Sequence, residues 1–287
     1  MRARSPASPR DPGTPEGTPV LVLSSFDDVR SRDLRFVEEA AATGPVHVLL
    51  PSDELVEATT GAPPRFPEAE RRYLAEALRW VERVTTVTER ASSDALPSIG
   101  AEDGGTWIVP EAADNEAKRA FCAAHGLDYG VIEEALLTQI PEASDDDVTP
   151  DGPTVLVSGC YDWLHSGHVR FFEEASGFGA LYVTVGNDAS VEAFKGAGHP
   201  MFPSAVRRYM VGSVRHVRRA FVATGSGWMD AAPEIERIHP DVLVVNEDGE
   251  RPEKRAYCAA NGIEYRVLRR RPKEGLLARR STDLRGY

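Results

Sequence analysis

The chain has 287 residues, 41% hydrophobic and 27% charged, which suits two soluble domains of ordinary size. A formal net charge of −12 argues against a general nucleic-acid partner, which needs a basic face to displace counterions, but leaves room for a small anion in a locally basic pocket. No apolar run approaches the roughly 20 residues that span a bilayer, and the three cysteines, Cys122, Cys160 and Cys258, form neither a disulfide framework nor a CxxC metal pattern. The composition predicts a cytoplasmic enzyme without a membrane partner.

In chain order, residues 1–18 are rich in Pro, Ser and charge, lack the apolar stretch of a signal peptide, and read as a flexible tail. Apolar strands then alternate with amphipathic helices from residues 20–23 to 129–132. Residues 141–153 carry Pro, Gly and like charges and read as an exposed linker. Beyond it, short apolar runs predict strands at 154–158, 181–186, 218–222, 242–245 and 265–268. Helices are expected at 167–176, 204–216, 231–238 and 252–261. The βαβα order predicts an α/β fold with a parallel sheet covered by helices on both faces, first in 19–140 and again in 154–287.

The two halves are copies. KRAFCAAHGLDY at 118–129 recurs as KRAYCAANGIEY at 254–265, an offset of 136 residues (from 118 to 254). At the same offset, Arg65-Phe66-Pro67 and Arg71-Arg72-Tyr73 match Met201-Phe202-Pro203 and Arg207-Arg208-Tyr209. LRFVEEA at 34–40 matches VRFFEEA at 169–175 at an offset of 135 (from 34 to 169), so one residue was gained or lost between the blocks. Matches of this length and order are a tandem duplication.

In a parallel sheet the ligand crevice lies outside the carboxyl ends of the strands, which directs attention to the turn after Val157. There Gly159 permits close backbone approach, and His165-Ser166-Gly167-His168 opens the next helix. Two imidazoles beside the free N–H groups of a helix start suit an anion. The same pair also fits two histidines brought close by chance, one of them packing in a core; zinc would need further ligands.

Gly159-x-Tyr161-Asp162-x-x-His165-x-Gly167-His168 resembles the G-x-F-D-x-x-H-x-G-H signature of the cytidylyltransferase-like superfamily, with Tyr161 in place of the usual Phe. The resemblance implies a Rossmann-like nucleotidyltransferase fold in both copies and covers the whole second copy, because three later features follow in family order. Asn187-Asp188-Ala189-Ser190 with Lys195-Gly196 and Pro200 resembles the segment whose lysine reaches the phosphates. Arg207 stands at the family's arginine in the following helix. Arg280-Ser281-Thr282-Asp283 resembles the second signature, a Ser-Thr-Thr that opens the last helix. Taken alone, these are a solvated loop, a surface charge and a helix cap.

The family pattern implies that His165, His168 and Lys195 are catalytic, and that Gly159, Cys160, Tyr161, Asp162, Gly167, Arg207, Asp248, Ser281 and Thr282 bind nucleotide and phosphate. Asp162 is also an orienting or metal candidate. Mg²⁺ is the expected cofactor, held mainly by phosphates. The substrates implied are CTP or ATP and a small phosphorylated acceptor: a phosphoalcohol, phosphonate or sugar phosphate. Tandem domains resemble ethanolamine-phosphate cytidylyltransferases and tilt the expectation to CTP; the Asp-Ala-Ser…Lys-Gly…Pro segment resembles heptose-phosphate adenylyltransferases, which use ATP. Departures stand at Val245-Asn246-Glu247-Asp248, where relatives often place His or Lys and Gly before the acid, and at Asp283.

In the first copy the aligned turn is Ser24-Ser25-Phe26-Asp27-Asp28-Val29-Arg30-Ser31-Arg32-Asp33. Phe26-Asp27 and Arg71 persist, while the histidines are Arg30 and Asp33, the glycine is Arg32 and Asp248 is Ala112. The first copy thus reads as a degenerate, pseudo-catalytic domain that supports the second. A reading of another class is a non-catalytic nucleotide sensor or scaffold. A homo-oligomer is compatible with the sequence.

Overall fold

The computed structural model describes residues 17–98, 104–142 and 152–281. The tail expected over 1–18 and the linker over 141–153 lie largely outside these residues, and Thr282 lies wholly outside them. The described elements are β1 (Val20–Leu23), α1 (Ser31–Ala41), β2 (Val46–Pro51), α2 (Asp53–Thr60), α3 (Glu68–Glu76), β3 (Val81–Val87), β4 (Thr106–Pro110), α4 (Glu116–His125), β5 (Asp128–Ile132) and α5 (Glu134–Leu137). The second copy follows with β6 (Thr154–Gly159), α6 (Ser166–Ser176), β7 (Ala180–Val185), α7 (Asp188–Lys195), α8 (Ser204–Gly212), β8 (Arg219–Val222), α9 (Ala232–Ile238), β9 (Val242–Asn246), α10 (Pro252–Ala260) and β10 (Glu264–Leu268). No helix among the described residues is long and apolar enough to cross a membrane.

Two parallel five-stranded sheets form, ordered β3-β2-β1-β4-β5 and β10-β9-β6-β7-β8. Connections leave the central strand in one direction and then return to its other side. With right-handed crossovers this places helices on both faces and opens a crevice beyond the carboxyl ends of β1 and β4, and again of β6 and β9. The strands are near-continuous apolar runs because both faces are covered. One core holds Leu21, Leu49, Trp107, Val109 and Cys122; the other holds Leu156, Ile235, Leu243 and Cys258. Cys122 and Cys258 are equivalent in the repeat, and both are reduced and buried.

The chain divides into two compact units, and the division does not follow the repeat. One comprises residues 17–25, 35–63, 80–98 and 104–142; the other comprises 26–34, 64–79 and 152–281. In the second unit, equivalent stretches of the repeat face each other. Arg79 N–H donates to the Ser213 carbonyl (3.0 Å) and Arg215 N–H to the Ala77 carbonyl (2.8 Å), around an antiparallel bridge between Leu78 and Val214. Each contact has its mirror at the repeat offset, which is the signature of a local two-fold axis. This pairing also explains a boundary: α8, expected to reach residue 216, stops at Gly212 because Ser213 and Arg215 turn to meet Ala77 and Arg79.

Helix α7 was not anticipated from periodicity. It is only eight residues long and rests on its cap, the Asn187 side chain accepting from Ser190 N–H at 2.8 Å. The aligned α2 starts the same way, with Ser52 accepting from Leu55 N–H at 3.2 Å.

Candidate active site

Strand β6 ends at Gly159 because the chain doubles back there. A Cβ on Gly159 would stand 2.7 Å from the Tyr161 ring, closer than real contacts allow. Tyr161 takes a left-handed φ of +51°, an uncommon conformation for a bulky residue, and so turns its ring inward against His168 (centroids 5.3 Å apart) and Phe172 (5.1 Å). Its hydroxyl is buried without a hydrogen-bond partner among the described residues, and burial raises its pKa. Asp162, 3% exposed, accepts from Met201 N–H (2.7 Å) and Phe202 N–H (3.1 Å) through Oδ1. That arrangement braces the turn against the loop before α8, which fits the orienting role more than a metal ligand.

His165 is the N-cap of α6, and its Nδ1 accepts from Gly167 N–H at 3.1 Å. A neutral imidazole that accepts at Nδ1 carries its proton on Nε2, so Nε2–H is a donor; Ser281 Oγ lies 3.3 Å from it. The tautomer is assigned from this bond. The His168 ring stacks on His165 at 3.9 Å and 22°. Gly167 makes the fold-over feasible, since a Cβ there would meet His165 Cε1 at 2.9 Å and the Arg279 carbonyl at 3.2 Å.

Both histidines are held neutral. Burial, then Arg270 and Arg279, pushes the His165 pKa down to about 3 from its ordinary 6.5. His168 is lowered well below 6.5 by burial first, then by His165, Arg270 and Lys195, against the opposing backbone of Trp163. Among the described residues its Nδ1 finds no hydrogen-bond partner of good geometry. Two uncharged, buried rings with cations acting on them suit an anion.

Lys195 ends α7, exposed, and its charge acts on both His168 and the Cys160 thiol. The Cys160 thiol is itself pushed up by burial, with Lys195 and Arg207 opposing. Arg207 is placed differently from the expected phosphate ligand. It is 0% exposed and donates to the carbonyls of Phe202 (2.8 Å), Cys160 (2.6 Å) and Gly186 (2.8 Å) and to Asp188 Oδ1 (2.7 Å). Four protein acceptors leave it a brace under the crevice. Asp248 is exposed beyond β9 and pairs with Arg270 at 2.8 Å. Sequence reasoning missed Arg270 and Arg279. The only signal was the Arg269-Arg270-Arg271 run directly after β10, at the carboxyl edge of the sheet.

The first-copy turn, which belongs to the same unit, repeats the frame. Phe26 has φ +51°, Asp27 accepts from Arg65 N–H (2.8 Å) and Phe66 N–H (2.9 Å), and buried Arg71 donates to the Phe66 carbonyl (3.0 Å). At the helix start the chemistry differs. Arg30 N–H donates to Asp33 (2.8 Å), the Arg30 guanidinium pairs with Asp28 (2.6 Å), and it lies over the Trp163 ring at 4.4 Å.

The chain is similar to several known proteins. Residues 156–257 match the family model described as cytidylyltransferase-like. An FAD synthase from Aciduliprofundum boonei is 35% identical over 118 residues, covering 40% of this chain and 76% of that protein. The bifunctional protein HldE of Pseudomonas fluorescens is 34% identical over 143 residues, 46% of this chain; the match spans 27% of the relative's length. A lipopolysaccharide core biosynthesis protein from Thermoplasma volcanium, of known structure, shares 22% identity with a TM-score of 0.36 over 42% of this chain and 98% of its own. The chain belongs to the cytidylyltransferase-like family of nucleotidyltransferases.

Proposed function

We propose that residues 154–287 form a catalytic domain that transfers a nucleoside monophosphate from CTP or ATP to a small phosphorylated acceptor, and that residues 19–140 are its degenerate partner. The observation that supports this reading is the stacked pair of neutral, buried imidazoles at the start of α6, with the His165 Nε2–H pinned as a donor and Lys195, Arg270 and Arg279 acting on the pair.

In the proposed reaction an oxygen of the acceptor's phosphate or phosphonate attacks the α-phosphorus. The bond from that phosphorus to the bridging oxygen breaks, and pyrophosphate leaves with the bond's electron pair. No covalent enzyme intermediate is required, so catalysis rests on positioning and on donors aimed at developing charge. His165 and His168 supply neutral N–H donors. Lys195 and the segment at Ser281 and Thr282 hold triphosphate and acceptor, while Arg207, Asp162 and Gly159 shape the turn. Cys160, Tyr161 and Gly167 line it, and Asp248 restrains Arg270. Among the described residues no group of three His, Cys, Asp or Glu stands together to hold a metal. Mg²⁺ would enter with the nucleoside triphosphate and would neutralise phosphate charge.

The tandem arrangement, as in ethanolamine-phosphate cytidylyltransferases, favours CTP. The FAD synthase relative favours ATP, since FAD contains an adenylate. A screen of pyrophosphate release from CTP, ATP, GTP and UTP with phosphoalcohols, phosphonates and sugar phosphates and Mg²⁺ tests the proposal. Release that depends on one acceptor class is expected. Tight nucleotide binding with no release for any acceptor would instead make the chain a sensor.

A further inference from the structure

Glu70 lies on α3, in the first copy of the repeat, yet its contacts lead to the second copy's histidine turn. Only 3% of it is exposed. Its Oε1 accepts from Ser166 Oγ at 2.6 Å, and its Oε2 accepts from Arg279 Nε and pairs with Arg279 Nη2, each at 2.9 Å. A buried carboxylate persists only when paired and hydrogen-bonded, and here both oxygens are engaged by the candidate site's own frame. Ser166 is the first residue of α6, next to His165. Arg279 presses its carbonyl toward Gly167 and precedes by two residues Ser281, which meets His165.

One turn further along α3, the Tyr73 hydroxyl donates to Glu173 Oε2 at 2.7 Å, and the other Glu173 oxygen holds Lys273 Nζ at 2.5 Å. Lys273 and Tyr73 together keep the Glu173 carboxyl low, at about 2, against a burial that alone would raise it. Helix α3 therefore grips the segment 273–281 at both ends, directly at Arg279 and through α6 at Lys273. Phe66, just before α3, adds an apolar contact with Trp163 inside the turn.

We propose that α3 is a clamp that seats residues 273–281 on the histidine turn, with Glu70 as its principal positioning residue. The claim rests on reading that turn as the nucleotidyl-transfer site. The first copy would then contribute to the second copy's site through side chains of its own, and residues 154–287 alone would lack a part of it.

The test uses the full chain with Glu70→Gln, which keeps an oxygen for Ser166 but removes the charge facing Arg279, together with Arg279→Gln and the double variant. Backbone hydrogen exchange of the unliganded proteins, which needs no turnover, reads the clamp. Exchange at residues 165–168 and 277–281 should speed on the order of tenfold or more, with the sheet strands unchanged. In pyrophosphate release, each single variant should lose about 10- to 100-fold in kcat/KM, as misplacement of reacting groups does, and the double should be no worse than the weaker single. Unchanged exchange, or losses that multiply in the double variant, would overturn the clamp. If Glu70→Gln does not fold, Tyr73→Phe carries the same measurements at the Lys273 end. A wild-type chain that releases no pyrophosphate would sink the functional reading instead, and exchange would still decide the clamp.

Discussion

The turns at 26–33 and 161–168 share a backbone and differ in chemistry, and the difference separates frame from function. Both turns carry a left-handed aromatic residue, an aspartate accepting two backbone N–H groups, and a buried arginine donating to the carbonyl five residues before it. These features also stand in the copy that carries Arg30 and Asp33 at the aligned positions, so they are independent of the two histidines. Features present only in the second turn are the stacked imidazoles, the glycine beneath them, Lys195 and the Ser281 contact. Motif matching gives Asp162 and Arg207 the same rank as His165; the duplicated turn does not.

Five outcomes would break or sharpen this contrast. The largest concerns the paired arginines. Arg71→Ala and Arg207→Ala should each cost about 3 kcal/mol of stability, because buried carbonyls lose a charged donor; urea unfolding measures it. A stable Arg207→Ala variant that fails to bind triphosphate would return this residue to the ligand set. His168→Ala should keep its fold and lose on the order of 10²-fold in turnover, as loss of one transition-state donor does. Rebuilding the motif in the first turn by Arg30→His, Arg32→Gly and Asp33→His in that background should restore nothing, since no lysine or serine of the second copy is matched there. Pyrophosphate release reads both.

The pH dependence should have opposite signs in the two turns. His165 has a folded pKa of about 3 against 6.5 when unfolded; between these values the unfolded chain takes a proton that the folded chain refuses. Its contribution is complete above pH 6.5 and is lost as pH falls toward 3. Asp33 is raised from 3.8, by burial first, so its contribution is complete below 3.8 and is lost as pH rises through its folded value. Melting temperatures from pH 4 to 7 for His165→Asn and Asp33→Asn should change slope in opposite directions. The smallest effect is Tyr161→Phe, which copies Phe26. Removing a buried, unpartnered hydroxyl should stabilise the chain by about 1 kcal/mol; a loss of stability would reveal a partner for that oxygen.

The parallel sheets and the strand-turn-helix around His165 were legible because each rests on local signals: apolar runs of strand length, a glycine at a forced turn, and a repeat that reads the pattern twice. The contacts of Arg207 were not legible. A cation on an amphipathic helix looks the same whether it faces phosphate or three converging carbonyls, and the carbonyls come from segments up to 47 residues away. Glu70 was hidden for the same reason, its partners lying 96 and 209 residues along the chain. Lys195 ends a helix too short for periodicity to reveal.

The mirror contacts at Arg79 and Arg215 have one more consequence. In a symmetric pair of separate chains, every substitution appears on both sides of the axis at once. Here both sides are encoded independently. Glu70 can accept from Ser166 while its repeat equivalent is Val206 and that of Ser166 is Ser31. Joining the halves in one chain also sets their local concentration by the tether and not by dilution. One half can therefore lack the two histidines, and the other can be contacted by an acid that it does not itself possess.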